Sequence, residues 1–270
     1  MTRLLGLGPF QWIGFIVALL TLFVLLEAWL GHDRSGFPLR AQYTPFVSGG
    51  LLIVAALATV IVPGAAWAQA GLIAAGWIAV VAGLVGVGYH HYYGIAEKAG
   101  SYKWLLHYLM YGAPQLAPLA LSMVGALGVI AAHGAAGRAA ILGIALRSAL
   151  LGTVAVALVG AIAQAGILHY RGAFNNPVMY VPFTVPVLAA VMSGWMSAAP
   201  APVPAALGRL LFVLTFLTGF LGLGMHLRGL DRQMGGLHVF LFNLLQGPPP
   251  LAPATFAGLA AIGLVATEML

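Results

Sequence analysis

Residues 32–46 read His-Asp-Arg-Ser-Gly-Phe-Pro-Leu-Arg-Ala-Gln-Tyr-Thr-Pro-Phe, and residues 169–183 read His-Tyr-Arg-Gly-Ala-Phe-Asn-Asn-Pro-Val-Met-Tyr-Val-Pro-Phe. Six residue types match at a constant offset of 137. They are His32, Arg34, Phe37, Tyr43, Pro45 and Phe46, matched by His169, Arg171, Phe174, Tyr180, Pro182 and Phe183. Such a repeat indicates two copies of one structural unit.

A second ungapped match supports the same division of the chain. At an offset of 135, His91, Gly94, Gly100, Gly112, Ala117 and Pro118 correspond to His226, Gly229, Gly235, Gly247, Ala252 and Pro253. The sequence therefore predicts a tandem duplication, with units 1–135 and 136–270.

The composition indicates that the solvent of this chain is mostly lipid. Hydrophobic residues make up 62% of the chain and charged residues 6%, with a mean hydropathy of +1.02. A soluble domain carries about 25% charged residues. Eight apolar segments approach the roughly 20 residues that a transmembrane helix needs. They are 10–31, 45–63, 70–90, 113–132, 145–168, 180–198, 207–226 and 249–268.

We therefore expect an all-α integral membrane protein with about eight transmembrane helices, four in each unit. Because each unit has an even number of helices, both units keep one orientation, and a pseudo-twofold axis along the membrane normal should relate them. Between the spans, 103–111 and 237–246 are too short to cross the bilayer and should lie at its interface. We expect a multi-pass protein of a cell (inner) membrane.

Charge and cysteine content exclude several functions. There is no cysteine, which excludes disulfides, thiolate zinc sites and iron–sulfur clusters held by cysteine. The net charge of +6 is spread over loops, so nucleic acid is not an expected partner and contact with lipid headgroups is. Seven of the eleven cations follow the odd-numbered spans, which favours a cytoplasmic position for that membrane side, called here the motif face.

Each odd-numbered span ends in a histidine, and three of the four are followed by arginine. The residues of this histidine–arginine layer are His32, His91, His169, His226, Arg34, Arg171 and Arg228. One interpretation is structural, because cations and glycine are common at the carboxyl ends of helices. The other uses what histidine alone offers, since neutral imidazole can ligate haem iron or hydrogen-bond a quinone.

The predicted symmetry axis would pair His91 with His226 and His32 with His169 across it, so that each pair could hold haem b. The arginines would then meet its propionates as charge-assisted partners. Glycines precede two of the histidines (Gly83, Gly86, Gly88, Gly219, Gly222 and Gly224) and either leave room for a flat ring or pack helices together. Alanine at His91 or His226 should remove a cofactor, and alanine at His90 should not.

Glu27 is the one carboxylate well inside a predicted span, and its counterpart at offset 137 is Gln164. A charge in lipid is costly, so Glu27 is a candidate for proton transfer, with an ion pair to Arg34 or Arg40 as the structural alternative.

Three functions follow from these features. The leading hypothesis is a membrane subunit of a redox complex that binds haem b or a quinone and exchanges electrons with a partner protein. The second is a small-solute or ion transporter that uses Glu27. The third is a structural or assembly subunit. Whether the chain is itself an enzyme is left open.

Overall fold

The computed structural model describes residues 6–199 and 205–269, and most of these residues are helical. In lipid, each backbone N–H and C=O group must find a partner within the protein, and a helix meets that need within one segment. The α-helices of the described part are α1 Pro9–Asp33, α2 Thr44–Ile61, α3 Ala66–His91, α4 Leu105–Tyr111, α5 Ala117–Ala135, α6 Leu146–Arg171, α7 Val185–Ala198, α8 Ala205–Asp231, α9 Phe240–Gln246 and α10 Ala254–Thr267.

Seven helical segments in the described residues are long and apolar enough to cross a membrane. They contain α1, α2, α3, α5, α6, α7 and α8. The predicted all-α, multi-pass class is therefore confirmed. The predicted eighth span, 249–268, contains only the 14 residues of α10, a length of about 21 Å. The two segments expected at the interface, 103–111 and 237–246, contain the short helices α4 and α9, each preceded by a 3₁₀ turn.

The helices pack as two groups of four. In the first group α1 contacts α2 and α5, and α3 contacts α2 and α5. In the second group α6 contacts α7 and α10, and α8 contacts α7 and α10. The groups meet where α1 packs on α10 and α5 packs on α6. The core between them is apolar, with fully buried side chains such as Ile13, Leu127, Leu150 and Ile262.

A short hairpin joins the two groups on the side opposite the motif face. Strands β1 (Ala140–Ile141) and β2 (Ile144–Ala145) pair antiparallel. The two residues of its turn, Leu142 and Gly143, both have positive φ, as a tight hairpin turn of this length requires. The hairpin leads the chain directly into α6, the first helix of the second group.

Candidate functional site

The repeated motif forms the same turn in both halves of the chain. After α1 the chain passes through Gly36 and Phe37 with φ of 72° and 50°, and after α6 it passes through Ala173 and Phe174 with φ of 54° and 48°. The phenylalanine N–H donates to the carbonyl oxygen of the preceding motif histidine, at 3.2 Å for His32 and at 3.1 Å in the second half. A left-handed phenylalanine is strained by about 1 kcal/mol or more, so its surroundings must hold it.

Ring packing holds that phenylalanine. Phe37 stacks on Tyr43 with ring centres 4.9 Å apart, and Phe174 stacks on Tyr180 at 4.6 Å. The same phenylalanine meets the motif histidine edge-on, at 5.7 Å from His32 and at 6.1 Å in the second half. The repeated Phe and Tyr of the sequence motif therefore wall one side of each imidazole.

The histidines of the motif face lie in two pairs. His32 at the end of α1 lies beside His90 of α3, with ring centres 6.3 Å apart and an angle of 65° between the rings. His169 at the end of α6 lies beside His226 of α8, also at 6.3 Å and at 63°. Each pair belongs to one four-helix group. The expected pairing across the symmetry axis is therefore wrong.

A backbone carbonyl orients three of these four imidazoles. Nδ1 lies 2.9 Å from Pro114 O in His90, 2.7 Å from Met179 O in His169 and 2.6 Å from Pro249 O in His226. His32 is the exception, because its Nδ1 is buried and has no hydrogen-bond partner within the described structure, although the ring lies near the backbone of Gln42, 137 positions before Met179. A carbonyl oxygen only accepts, so Nδ1 donates, and in the neutral ring Nε2 then keeps its lone pair. Histidines that bind metals are commonly oriented by such a bond.

The structure places His91 away from these pairs. Its side chain is exposed, and its Nε2 lies 2.9 Å from the hydroxyl of Tyr102. His91 follows His90 directly on α3, so its side chain points about 100° away from that of His90. A π-helical turn, Tyr92–Ala96, follows α3, and the first half has one residue more here than the second half. Residues of α3 therefore match residues of α8 at an offset of 136, and the offset becomes 135 after this turn. His90, and not His91, therefore occupies the position that corresponds to His226.

The glycines before these histidines serve helix packing more than ligand space. A Cβ on Gly83 would lie 2.6 Å from Pro118 O, and one on Gly219 would lie 2.7 Å from Ala257 N. Gly86 and Gly222 face the prolines Pro118 and Pro253 in the same way. These four glycines let α3 approach α5 and let α8 approach α10. Gly88 and Gly224 are different, because a Cβ on either meets nothing within 4 Å.

Two arginines of the layer reach across to the opposite half. Arg34 donates to the carbonyl oxygens of Leu244 and Gly247, at 3.5 and 3.1 Å, and also to Leu245 O. Arg171 donates to Leu109 O and Gly112 O at 3.5 and 3.0 Å.

Both guanidinium groups thus cap the carboxyl end of a short helix, α9 or α4, where the helix dipole is negative. The structural interpretation of these two arginines is therefore supported. Arg228, by contrast, is exposed and lines a surface groove with Asp231.

The Glu27 carboxylate also contacts the opposite half of the chain. Its Oε1 accepts the N–H of Leu251 at 2.8 Å, and its carboxylate faces the N–H of Ala252, just before α10 begins. The charge of Arg34 lies near it. The counterpart Gln164 has a buried Oε1 without a hydrogen-bond partner in the described structure. Glu27 is therefore positioned as a structural anchor between α1 and the start of α10.

Two further findings concern the site and the chain as a whole. Among residues 6–199 and 205–269, no group of three or more His, Asp or Glu side chains could hold a metal ion. Comparison of the chain with protein-family profiles, curated proteins and solved structures found no significant match.

Sequence reasoning missed the role of His90, yet a signal for it was present. Gly83, Gly86 and Gly88 match Gly219, Gly222 and Gly224 at offset 136, and the same offset places His90 on His226. It also missed that the carbonyls of Pro114 and Pro249 orient two imidazoles, although these prolines share the offset of 135.

Proposed function

We propose that this chain is the membrane-embedded subunit of a redox complex, in which the His32/His90 and His169/His226 pairs each bind one haem b. The observation that carries the proposal is the spacing of the two imidazoles, which is 6.3 Å in both pairs. Two imidazoles that held one metal ion at nitrogen distances of about 2.0 Å would have their ring centres about 5–6 Å apart, close to the observed spacing.

The protein environment supports this use of the histidines. Because a backbone carbonyl orients Nδ1 of His90, His169 and His226, the Nε2 lone pair of each of these neutral imidazoles would be free to hold a haem iron. The aromatic rings of Phe37 and Phe174 exclude water from one side of each pair. When bound, a haem b supplies reversible one-electron chemistry, and the protein contributes ligation, orientation and a low dielectric.

We also propose that units 1–135 and 136–270 are an internal duplication, and that the whole chain crosses the membrane eight times. The duplication is supported by the matched contacts of the two histidine pairs and the two arginines. Helix α10 would be the eighth crossing, because it packs against α1, α6 and α8 and is buried along most of its length. The second half then repeats the arrangement of the first.

Partners follow from the same architecture. The exposed apolar side chains of the long helices face lipid, as Val54, Ile61 and Val81 do. The connections on the motif face are short, so a protein partner would supply the surface that passes electrons to or from the pairs. We place the complex in a cell (inner) membrane, with the motif face cytoplasmic by its excess of Lys and Arg.

The other hypotheses fit the structure less well. A transporter that couples through Glu27 needs a carboxylate that can change partners, but Glu27 is held by backbone N–H groups at the start of α10. A purely structural subunit explains Arg34 and Arg171, but it gives no reason for two imidazole pairs in matched positions.

The test is a reduced-minus-oxidised optical spectrum of the purified protein, with lipid extraction and mass spectrometry of the same sample. We expect a b-type band, with about two haems per chain if each pair is bis-histidine ligated. His90→Ala and His226→Ala should each lower the haem content to about half. The matched control is His91→Ala, which changes the neighbour of His90 and should leave the spectrum unchanged.

Each other outcome selects a different function. A protein without the band that retains a quinone would keep the redox class and assign the imidazoles to quinone hydrogen bonding. A protein with neither would overturn the proposal in favour of a structural or assembly role. A band that survives His90→Ala but not His91→Ala would show that the pairs described here are not the ligands.

A further inference from the structure

A groove in the first half of the chain has no chemical equivalent in the second half. It lies at the motif face between the π-helical turn and α4 and has a volume of about 450 Å³, within the range of small-molecule sites. Its walls are Tyr93, Gly94, Lys98, His107, Tyr108, Tyr111, Gly112 and Ala113. We call it the tyrosine groove.

The π-helical turn forms one wall of this groove. Tyr93 and Gly94 both belong to that turn, Tyr92–Ala96. Single π-turns within helices cost stability and are frequent at functional sites. The second half ends α8 without the additional residue, so the extra residue shapes this groove only.

The other walls present rings and hydrogen-bond donors. The ring of His107 lies 5.4 Å from that of Tyr108 and 5.2 Å from that of Tyr111. Tyr108 is fixed, because its hydroxyl donates to Ala99 O at 2.6 Å. Within residues 6–199 and 205–269, no hydrogen bond or ion pair uses the ring nitrogens of His107 or the amine of Lys98. Both groups are therefore available to a ligand.

The second half differs at the positions that line this groove. A groove of about 570 Å³ near the end of α8 is lined by Leu227, Arg228, Asp231, Leu237 and Phe240, and of these only Arg228 corresponds to a residue of the tyrosine groove, Tyr93. At offset 135, Phe242 stands in the place of His107 and Gln246 in the place of Tyr111. The second half thus lacks both the imidazole and the tyrosine.

The tyrosine groove adjoins the His32/His90 pair through one short segment. Ala113 lines the groove, and the next residue, Pro114, accepts the Nδ1–H bond of His90. Gln115 joins the same parts, because its Nε2 donates to both His90 O and Ala113 O. A ligand in the groove is therefore separated from an oriented imidazole by a single turn of backbone.

We propose that the tyrosine groove binds the headgroup of a lipid-soluble quinone, next to the first-half pair. The inference rests on the proposed redox function. A quinone ring is flat and stacks on tyrosine, and its two carbonyl oxygens accept hydrogen bonds from His107 and Lys98. A phospholipid phosphate would favour several cations, and this groove has one lysine. The tail of the quinone lies along the lipid-exposed side chains of Val81, Leu84 and Val85 on α3.

The experiment measures binding of a short-chain ubiquinone to the purified full-length protein in phosphatidylcholine nanodiscs, by quenching of tryptophan fluorescence. A photoreactive azidoquinone, followed by peptide mass spectrometry, locates the site. The double variant His107→Phe/Tyr111→Gln installs the residues of the second half. The matched control, Phe242→Leu/Gln246→Ala, changes the same two positions of α9.

We expect the double variant to bind the quinone at least about tenfold more weakly, while its thermal unfolding temperature and any haem band stay unchanged. The control should bind like the parent protein, and labelling should fall on α4 and the π-helical turn. Unchanged affinity in the double variant, or labelling confined to α9, would overturn the inference. A haem band without quinone binding refutes this site alone, whereas quinone binding here without a haem band refutes the haem assignment alone.

Discussion

Gly219 and Gly224 of α8 should respond differently to substitution by alanine, since only the first substitution should destabilise the protein. A Cβ on Gly219 would lie 2.7 Å from Ala257 N and 2.8 Å from Ala257 Cβ, both on α10. That is about 0.7 Å short of ordinary contact, and a helix backbone must move to relieve it. A Cβ on Gly224 meets nothing within 4 Å.

The magnitudes follow from these contacts. Overpacking costs about 1–3 kcal/mol, and we expect Gly219→Ala near the upper end, since backbone atoms block the new methyl group. Gly224→Ala relieves no contact and gains helix propensity, so it should be neutral or stabilising by up to about 1 kcal/mol. For a chain of this size, a loss of about 3 kcal/mol lowers the unfolding temperature by on the order of 10 °C.

The assay is thermal unfolding in detergent, followed by intrinsic tryptophan fluorescence, with a haem spectrum of each variant. Gly83→Ala and Gly88→Ala provide the same comparison on α3. If Gly219→Ala unfolds at the parent temperature, the close approach of α8 and α10 is wrong. If Gly224→Ala is stable but loses haem, that glycine provides space for the ring, and the packing argument applies to Gly219 only.

Three further predictions follow from individual polar contacts. Arg171→Met should cost about 2 kcal/mol by removing two charge-assisted hydrogen bonds, with faster hydrogen exchange in α4, whereas the exposed Arg40→Met should stay within about 0.5 kcal/mol. Glu27→Gln should unfold within about 1 kcal/mol of the parent, because an amide oxygen still accepts the N–H before α10, whereas Glu27→Leu should lose about 2 kcal/mol. Equal loss in both Glu27 variants would show that the charge itself matters. Ser193→Ala, which removes a buried 2.8 Å hydrogen bond to Leu151 O, should cost about 1 kcal/mol in chemical denaturation.

Much of the architecture could be predicted because lipid imposes simple rules on sequence. Apolar length predicted the long helices, and segments too short to span predicted α4 and α9. The eighth span was less secure, because Pro248, Pro249, Pro250 and Pro253 delay the start of α10. Apolar composition alone does not reveal where a helix begins.

The site was harder to predict than the helices. The sequence match selected His91 instead of His90 because the π-helical turn adds one residue to the first half. The offset between matched residues is therefore 136 before the turn and 135 after it. The pairing within each half, and the reach of Arg34 and Arg171 into the opposite half, depend on distant contacts that no local pattern encodes.

The reciprocal reach of the two arginines bears on how such a chain could have arisen. Arg34 caps α9 in the second half, and Arg171 caps α4 in the first. A single four-helix unit would have its own short helix uncapped and its own arginine unused. Two identical units that met about a twofold axis would satisfy both needs at once, through an isologous interface. An ancestor of half this length would on this reasoning have been an obligate homodimer, and gene fusion would have preserved an interface that already existed.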